Sequence, residues 1–563
     1  MAYRAPVGEM RFLLGHVLGA GRLAETPRFA EATAEALEAI LGEAARLAEE
    51  VLGPLRRAGD LEGARLENGG VRTTPGFADA YRRLAEGGWV GIAADRRHGG
   101  MGLPVSLLTC VGEIFAGANL ALSLCPLLSQ GQIEAIEAHA SLEVQAVYLP
   151  KLVAGTWTGT MNLTEPQAGS DVGAVRTRAE PLPDGSFAVT GQKIFISWGD
   201  HDMAENVCHM VLARLPDAPA GTRGISLFLV PKFVPDADGR PGERNGVRAL
   251  SLEHKLGLHG SPTCVMEYDR ARGWLIGEAH RGMAAMFTMM NNARLAVGVE
   301  GVSQAEAALQ EATAFARERR QGRTADGSPA IIGHADVRRM LLTMAALTAS
   351  ARAICLDCAL STDIANATGE EEWQARAAFL TPIAKAFGTD VGCEVTSLAM
   401  QVFGGMGYIE ETGIAQFWRD VRVTAIYEGT NGIQAMDLVG RKLADGGAAA
   451  QRLIEAMQET ALEVAGDLGA RLAAAARRLA ETTGWMAAAE ANDRAAGAVP
   501  YLRAFALTLG GWHLLRAAAA EGKEAGPRAA LAAFHVRQML PQVGALCDAA
   551  VEGAAPLYAG GIG

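Results

Sequence analysis

Three polar segments hold the side chains of this 563-residue sequence that are best suited to chemistry. Residues 161–173 (Met-Asn-Leu-Thr-Glu-Pro-Gln-Ala-Gly-Ser-Asp-Val-Gly) are dense in hydroxyl groups and turn-forming residues, which suits a loop that holds a polar ligand. Residues 192–198 read as a strand whose aromatic and hydroxyl side chains could lie against a flat ring. The third segment combines residues 401–408 with 426–434, where Glu428 ends an apolar run. A carboxylate at the end of an element is well placed to act as a general base.

Taken one at a time, these segments also fit ordinary structural roles. The first could be a simple surface loop, the second a half-buried strand, and Glu428 a helix cap or a partner in a surface ion pair. Their chemical meaning therefore depends on the elements that position them.

Common nucleotide and metal motifs are missing from the sequence. No Gly-x-Gly-x-x-Gly lies between a predicted strand and a predicted helix, which argues against a Rossmann nucleotide site. Cys355 and Cys358 form a Cys-x-x-Cys pair inside a helical Ala/Leu stretch, without a second Cys or His pair at metal-ligand spacing. We therefore expect two small buried thiols here and no metal site.

The hydrophobic periodicity changes twice along the chain. Residues 29–150 are helical in pattern, short apolar runs divided by turns follow near Leu182, and helical periodicity returns at 282–443. From Leu453 to Leu479 apolar residues step by three and four, which predicts one long helix. The predicted strands are 187–190, 194–197, 207–213, 225–230 and 263–268. We predict an α+β protein made of an N-terminal helical domain (1–157), a middle β domain (158–280), a C-terminal domain of the four-helix type (281–443) and a helical extension (444–563).

Composition narrows the class of protein. The chain has 51 basic and 63 acidic residues and 49% hydrophobic residues, which excludes a disordered chain and argues against a general nucleic-acid binder. Eight scattered cysteines and an N-terminus without the order of a secretory signal predict a reduced, cytoplasmic protein. The most membrane-like stretch, 103–132, contains Glu113 and two prolines, so we expect buried helices and no membrane span.

In their order and spacing, the three segments resemble the acyl-CoA dehydrogenase family over about residues 29–443. Residues 163–171 (Leu-Thr-Glu-Pro-Gln-Ala-Gly-Ser-Asp) look like the first signature of that family, and residues 401–408 with 427–430 (Tyr-Glu-Gly-Thr) look like the second. The Tyr-Arg-Ala-Pro start, residues 427–435 and the C-terminal extension are most similar to the 3-methylmercaptopropionyl-CoA dehydrogenase branch.

The resemblance implies FAD as the cofactor and assigns its contacts residue by residue. Arg319 matches an arginine that reaches the FAD pyrophosphate of a neighbouring subunit, and Gln401 to Gly405, including Gly404, match a loop that contacts FAD from a partner subunit. The remaining residues expected to contact FAD are Thr164, Ser170, Phe195, Ile196, Ser197 and Thr430. Two positions depart from the family: Gly322-Arg323 replaces a common Phe-Gly, and Gly432 replaces a side chain that often helps to hold FAD.

The resemblance also implies the reaction, an α,β-dehydrogenation of an acyl-CoA thioester with 3-methylmercaptopropionyl-CoA as a candidate substrate. Glu428 matches the base that removes the α-proton, while the β-hydride passes to N5 of the flavin. Arg294 matches an arginine that meets coenzyme A, and Ser170, Asn291 and Gly429 are the other expected substrate contacts. Asn291 stands where many members have Asp, and Ala293 occupies the alternative position of the base.

The partners implied by the resemblance are an electron transfer flavoprotein as electron acceptor and a second copy of the chain in a homodimer. Two alternatives remain open from the sequence, an acyl-CoA oxidase and a DNA-associated family member that binds through its C-terminal region. Residues 441–563 contain 12 basic and 12 acidic residues, so they form no basic stripe of the kind that binds DNA.

Overall fold

The computed structural model describes residues 3–325, 327, 329–522 and 526–561. The outermost residues of the domains predicted for 1–157 and 444–563 lie outside the described residues, as do a few inside 281–443 and 444–563. The described chain confirms the predicted α+β class, with helices before and after a β region and a further helical region at the end.

The chain contains both short helices and helices of more than 30 residues. The α-helices are α1 (Val7–Phe12), α2 (Ala34–Leu47), α3 (Gly53–Glu62), α4 (Phe77–Glu86), α5 (Val105–His139), α6 (Leu142–Val153), α7 (Gly282–Glu318), α8 (Ala335–Thr368), α9 (Glu371–Phe403), α10 (Ile414–Val421), α11 (Asn431–Asp437), α12 (Ala448–Glu463), α13 (Asp467–Ala488), α14 (Ala491–Glu521), α15 (Pro527–Gln538), α16 (Pro541–Ala550) and α17 (Ala555–Ala559). The strands are β1 (Arg65–Glu67), β2 (Gly70–Arg72), β3 (Trp157–Asn162), β4 (Arg178–Pro181), β5 (Phe187–Ser197), β6 (Asn206–Arg214), β7 (Ile225–Pro231), β8 (Phe233–Pro235), β9 (Pro241–Arg244), β10 (Val247–Leu252) and β11 (Thr263–Ile276).

The chain forms two compact units. We call the first the helical unit (Met1–Ala45, Pro104–Gly117 and Arg294–Gly563) and the second the sheet unit (Arg46–Leu103 and Ala118–Ala293). The division into four domains stays a prediction.

The sheet unit is built around seven strands in the order β10-β11-β5-β4-β6-β3, with β7 paired to both β11 and β6. All five predicted strands are confirmed, although residues 187–190 and 194–197 belong to the single strand β5. The wholly helical pattern predicted for 29–150 is wrong at β1 and β2, which form a hairpin. Asn68 and Gly69 have φ angles of 50° and 76° at its turn, and an Asn-Gly pair is the usual sequence signal for such a two-residue turn.

The helical unit packs α7 to α9 and the C-terminal helices around one apolar core. The extension contributes to this core, because Phe505 of α14 meets Phe379 of α9 with ring centroids 5.0 Å apart. The predicted single helix through residues 453–479 is wrong, since α12 ends at Glu463 and α13 begins at Asp467. Val464 adopts an extended conformation and Gly466 has a φ of 80°, so the apolar pattern continues across a break in the backbone.

Helices α5 and α8 are each long and apolar enough to cross a membrane. In both, 89% of the most apolar window is buried inside the protein. They therefore pack as core helices, as the sequence predicts for residues 103–132.

Candidate active site

A buried ion pair shapes the first polar segment, in the sheet unit. Glu165 lies 2.8 Å from Lys193 of β5, and both side chains are almost fully buried. Glu165 also accepts hydrogen bonds from the backbone N–H groups of Arg176 and Thr177, and Lys193 donates to the carbonyl of Leu163. Burial opposes ionisation, but Lys193 and these hydrogen bonds outweigh it and lower the pKa of Glu165 to about 2. The loop after β3 is thus tied to β5 by charge.

The second polar segment departs from regular strand geometry where an aromatic side chain is exposed. Phe195 has a φ of 61° and is 61% exposed, and the pairing of β5 with β11 shifts register between Lys193 and Ile196. Such a bulge next to a binding site re-aims a side chain, and a left-handed conformation in Phe costs free energy. The N–H of Ile194 donates to the carbonyl of Thr164, which fixes the bulge against the loop.

The remaining predicted residues of the sheet unit have different surroundings. Ile196 is buried, Ser197 is half-buried and Ser170 is exposed. Asn291, on α7, is exposed, and the structure gives it no side-chain hydrogen bond to a described residue. Its neighbour Asn292 donates to Glu134, with 2.7 Å between Nδ2 and Oε1.

The third segment, in the helical unit, holds the candidate base in a strained turn. Glu428 and Gly429 have φ angles of 55° and 84°, a conformation that glycine adopts freely but glutamate rarely does. Gln434 donates to the carbonyls of both residues, and Thr430 caps α11 by accepting the N–H of Ile433. Thr430 caps the helix here, so Glu428 is free of that structural role.

Two cations lie near the Glu428 carboxyl. Burial raises its pKa to about 6, while Arg294 of α7 and Lys385 of α9 hold it below the value that burial alone would give. The buried Lys385 donates to the carbonyl of Gly429 at 3.0 Å and to Oδ1 of Asn431 at 2.9 Å. A carboxyl with a pKa near 6 can release and accept a proton close to neutral pH, as a general base must.

Arg294 is itself held by a carboxylate. Its Nη1 lies 3.1 Å from Oδ2 of Asp437 at the end of α11, and both side chains are buried. Its Nε is buried without a hydrogen-bond partner among the described residues. One guanidinium N–H is therefore available to a further acceptor, and the ion pair with Asp437 fixes its direction.

The other predicted residues of the helical unit gather where two long helices end. Phe315, near the end of α7, stacks on Phe403, near the end of α9, with ring centroids 4.1 Å apart. Arg319 follows Phe315 by one helical turn and is exposed, and Gln401, Gly404 and Gly405 are exposed beside Phe403. The stacked rings therefore bring Arg319 and residues 401–405 to one end of the unit. The loop predicted for 401–405 is wrong, because Gln401 lies in the last turn of α9 and Gly404 begins a short 3-10 helix.

The residues present fit FAD as a cofactor. The exposed ring of Phe195 offers a flat apolar surface in a conformation that costs free energy, the Thr430 hydroxyl keeps its proton free to donate, and the exposed Arg319 makes no ion pair with any described residue. Within the described residues no group of three or more His, Cys, Asp and Glu side chains could hold a metal ion. Cys355 and Cys358 are buried thiols, as the sequence predicts.

Sequence reasoning missed the residues that support Glu428. Lys385 and Glu300 are fully or almost fully buried in long helices, and Asp437 is buried at a helix end. Each is a lone charge in an otherwise apolar stretch of sequence, for instance Lys385 in Pro-Ile-Ala-Lys-Ala-Phe. Charged residues are almost never buried unless they are paired, so such isolated charges on an apolar helix face are a usable signal.

Four protein-family models match consecutive parts of the chain. Their descriptions are "Acyl-CoA dehydrogenase, N-terminal domain" (34–156), "Acyl-CoA dehydrogenase, middle domain" (160–271), "Acyl-CoA dehydrogenase, C-terminal domain" (280–444) and "Acetyl-CoA dehydrogenase C-terminal like" (448–559). Together they cover most of the sequence, including the extension.

Curated relatives match over nearly the whole length. The chain is 46% identical to the 3-methylmercaptopropionyl-CoA dehydrogenase of Ruegeria pomeroyi, over 93% of this chain and 92% of that protein. It is 33% identical to the broad-specificity linear acyl-CoA dehydrogenase FadE5 of Mycobacterium tuberculosis, over 96% of each chain. Among solved structures, an acyl-CoA dehydrogenase from Bacillus anthracis complexed with FAD shares the fold, with a TM-score of 0.76, 20% identity and coverage of 95% of this chain and 92% of that one.

Proposed function

Because the chain belongs to the acyl-CoA dehydrogenase family, whose members are FAD-dependent enzymes, we propose that it oxidises an acyl-CoA thioester to the 2-enoyl-CoA with Glu428 as the base. The observation that carries this proposal is the environment of Glu428. Its half-buried side chain is subject to the charges of Arg294 and Lys385, in a strained turn that α11 and Lys385 hold from both sides. Strain of this kind persists only where the surroundings enforce it, and it concentrates at functional sites.

Glu428 removes the proton from the α-carbon. A thioester α-hydrogen is weakly acidic. The base must therefore be unprotonated at the working pH, and its pKa must lie close to that pH. The pKa of Glu428, raised by burial to about 6, meets both needs at neutral pH. Since the protonated carboxyl cannot accept a proton, the rate of oxidation falls as the pH drops below about 6.

The negative charge that develops on the thioester oxygen needs donors. By resemblance to the family, the backbone N–H of Glu428 and a ribityl hydroxyl of FAD supply them, and one such donor is worth about 2.7–4 kcal/mol. The turn at Glu428 and Gly429, fixed by Gln434 and Lys385, sets the direction of that N–H. When bound, FAD takes up the hydride equivalent that leaves the β-carbon.

The residues proposed to hold FAD are assigned by resemblance, and all of them except the buried Ile196 are at least partly exposed. Thr164, Ser170, Ile196 and Ser197 belong to the loop and strand that Lys193 and Glu165 tie together, and Phe195 is the exposed ring between them. In the helical unit, Thr430 keeps a free hydroxyl proton, and Arg319 shares one surface with Gln401, Gly404 and Gly405.

The surface next to residues 401–405 exposes several large apolar side chains. Tyr408 is 87% exposed, and Met406 and Ile409 are also exposed. Three large apolar side chains that are close in the sequence are therefore exposed to solvent. Exposed apolar groups in a cluster mark interaction surfaces. We propose that a second copy of the chain covers these apolar side chains in a homodimer. Arg319 and residues 401–405 would then reach the FAD bound by that second copy.

The substrate proposed is 3-methylmercaptopropionyl-CoA, and the support is the relative from Ruegeria pomeroyi that shares 46% identity over nearly the full length. Arg294, held by Asp437, and the exposed Asn291 are the proposed coenzyme A contacts, with Ser170 and Gly429. An electron transfer flavoprotein is the proposed acceptor in the cytoplasm.

The test is a substrate panel on the purified, flavin-loaded protein. Reduction of a dye acceptor is measured with 3-methylmercaptopropionyl-, butyryl-, octanoyl- and palmitoyl-CoA, beside oxygen consumption without dye. The proposal expects the highest kcat/KM with the thioether substrate and no oxygen-coupled turnover. A preference for palmitoyl-CoA would refute the substrate, and turnover that consumes oxygen without dye would show an oxidase.

A further inference from the structure

A buried carboxyl, that of Glu300, interacts electrostatically with the candidate base. Glu300 is on α7 and is 2% exposed, and the phenol of Tyr427 donates a hydrogen bond to its Oε2. Tyr427 directly precedes Glu428 in the chain. Neither Glu300 nor this contact belongs to the residues assigned by resemblance.

The hydrogen bond connects Glu300 to the strained turn through one residue. Tyr427 is half-buried, and loss of hydration at its phenol together with Glu300 raises the pKa of that phenol well above its usual range, so it stays a donor at all pH values of interest. Glu300 therefore anchors the Tyr427 side chain from α7, while Lys385 anchors Gly429 from α9. Glu428 lies between these two anchors.

Glu300 and Glu428 also share an electrostatic environment. The groups that act on Glu300 are Tyr427, Glu428 and Lys385, and those that act on Lys385 also include Asp390 and Arg294. Burial raises the pKa of Glu300 to about 8, and Glu428 adds to the rise. Its Oε1 has no hydrogen-bond partner among the described residues. Tyr427 is therefore the one described side chain that donates a hydrogen bond to this carboxyl.

We propose that Glu300 is a positioning residue for the base, which holds the Tyr427–Glu428 turn through the Tyr427 phenol and makes Glu428 a stronger base when it ionises. The inference rests on the proposed function. Because like charges close together disfavour a second ionisation, a charged Glu300 increases the proton affinity of Glu428.

This coupling predicts two steps in the pH dependence of flavin reduction. The first follows ionisation of Glu428 near pH 6, and the second follows ionisation of Glu300 near pH 8. Lys385 has a pKa lowered by burial to about 8, so its loss of charge could produce a similar second step. The two sources separate in a variant that changes only Glu300.

The variant is Glu300→Gln, whose amide oxygen still accepts from Tyr427. Single-turnover reduction of the flavin by saturating acyl-CoA is followed anaerobically across the pH range, in the parent and in the variant. We expect equal rates below neutral pH and a variant that is several-fold slower at alkaline pH, because its second step is gone. A purely structural role would lower the rate equally at every pH, and a second step retained in the variant would assign it to Lys385. Either result overturns the proposal.

The hydrogen bond is tested separately with Tyr427→Phe. Tyr501→Phe is the control, because Tyr501 lies in the same unit and its phenol also has one side-chain partner, Thr483. We expect Tyr427→Phe to slow flavin reduction several-fold with unchanged flavin content and the control to keep the parental rate. Equal rates of flavin reduction in the two variants would show that the hydrogen bond from Tyr427 to Glu300 does not position the base. The parent and Glu428→Gln are measured in parallel. If the parent does not reduce its flavin, or if Glu428→Gln still does, the proposed function is refuted. Failure of the Glu300 proposal looks different, because the parent is then active, Glu428→Gln is inactive, and only the pH profile of Glu300→Gln departs from expectation.

Discussion

Replacing Lys193 with methionine tests how the first polar segment is held. The change keeps an apolar stem but removes the cation beside Glu165, which would then be a buried carboxylate without its partner. Breaking a buried pair on one side costs about 3–5 kcal/mol. For a unit of roughly 230 residues, each kcal/mol lowers Tm by about 2–4 °C, so we expect a fall of about 6–20 °C.

The assay for Lys193→Met is release of bound flavin on heating, followed by flavin fluorescence. The double variant Lys193→Met with Glu165→Gln should recover much of the loss, since it leaves no uncompensated charge. Arg272→Met is the control, because Arg272 of β11 forms an exposed ion pair with Asp184, in the turn between β4 and β5, and such pairs contribute about 0–1 kcal/mol. A fall in Tm for Lys193→Met no larger than that of Arg272→Met would refute the reasoning.

The pH dependence of this pair has a definite sign. The pKa of Glu165 is lower in the folded protein than in the unfolded chain, so its contribution to stability is present above the unfolded value of about 4.3 and is lost as the pH falls toward about 2. Acid should therefore reduce the difference in Tm between the parent and the double variant.

Three further changes test other parts of the account. Arg319→Ala removes a charge-assisted contact worth about 1.5–3 kcal/mol, so FAD should dissociate on dilution, and unchanged FAD affinity by fluorescence titration would argue against its role. Tyr408→Asp places a charge on the exposed apolar surface, and sedimentation should show a dimer in the parent and a monomer in the variant; a monomeric parent would contradict the dimer. Phe505→Ala opens a cavity against Phe379 and should cost about 3–5 kcal/mol, which would appear as a lower Tm, whereas an unchanged Tm would mean that the extension does not stabilise the helical unit.

The sequence predicts the elements where periodicity is strong. The strands β5, β6, β7 and β11 follow from short apolar runs divided by turn residues, and the helical character of residues 282–443 follows from apolar spacing. Apolar spacing does not predict the break between α12 and α13, because the helix ends before Gly466 while the apolar pattern continues past it. The β1–β2 hairpin escapes because its strands are three residues long, although its Asn-Gly turn was readable.

Predicting the candidate site from sequence succeeds for residues in local motifs and fails for those that are distant in the chain. Glu428 and Thr430 lie in one short segment, whereas Glu300 comes 127 residues before Tyr427. Only packing of the helices brings such residues together. The pKa values also depend on burial, so the rise at Glu428 could be expected in direction but not placed near 6 without the structure.

The variant Glu428→Gln tests whether Glu428 removes the α-proton. Glutamine keeps the shape of the side chain and cannot act as the base, so the FAD-loaded variant should still bind acyl-CoA. Glu394→Gln is the control, an equally conservative change at a partly exposed ion pair with Arg503 in the same unit. In anaerobic stopped-flow experiments, bleaching of the flavin band should slow by about 10²–10⁴-fold in Glu428→Gln and stay at the parental rate in the control. Bleaching of Glu428→Gln within a few-fold of the parent would contradict the account.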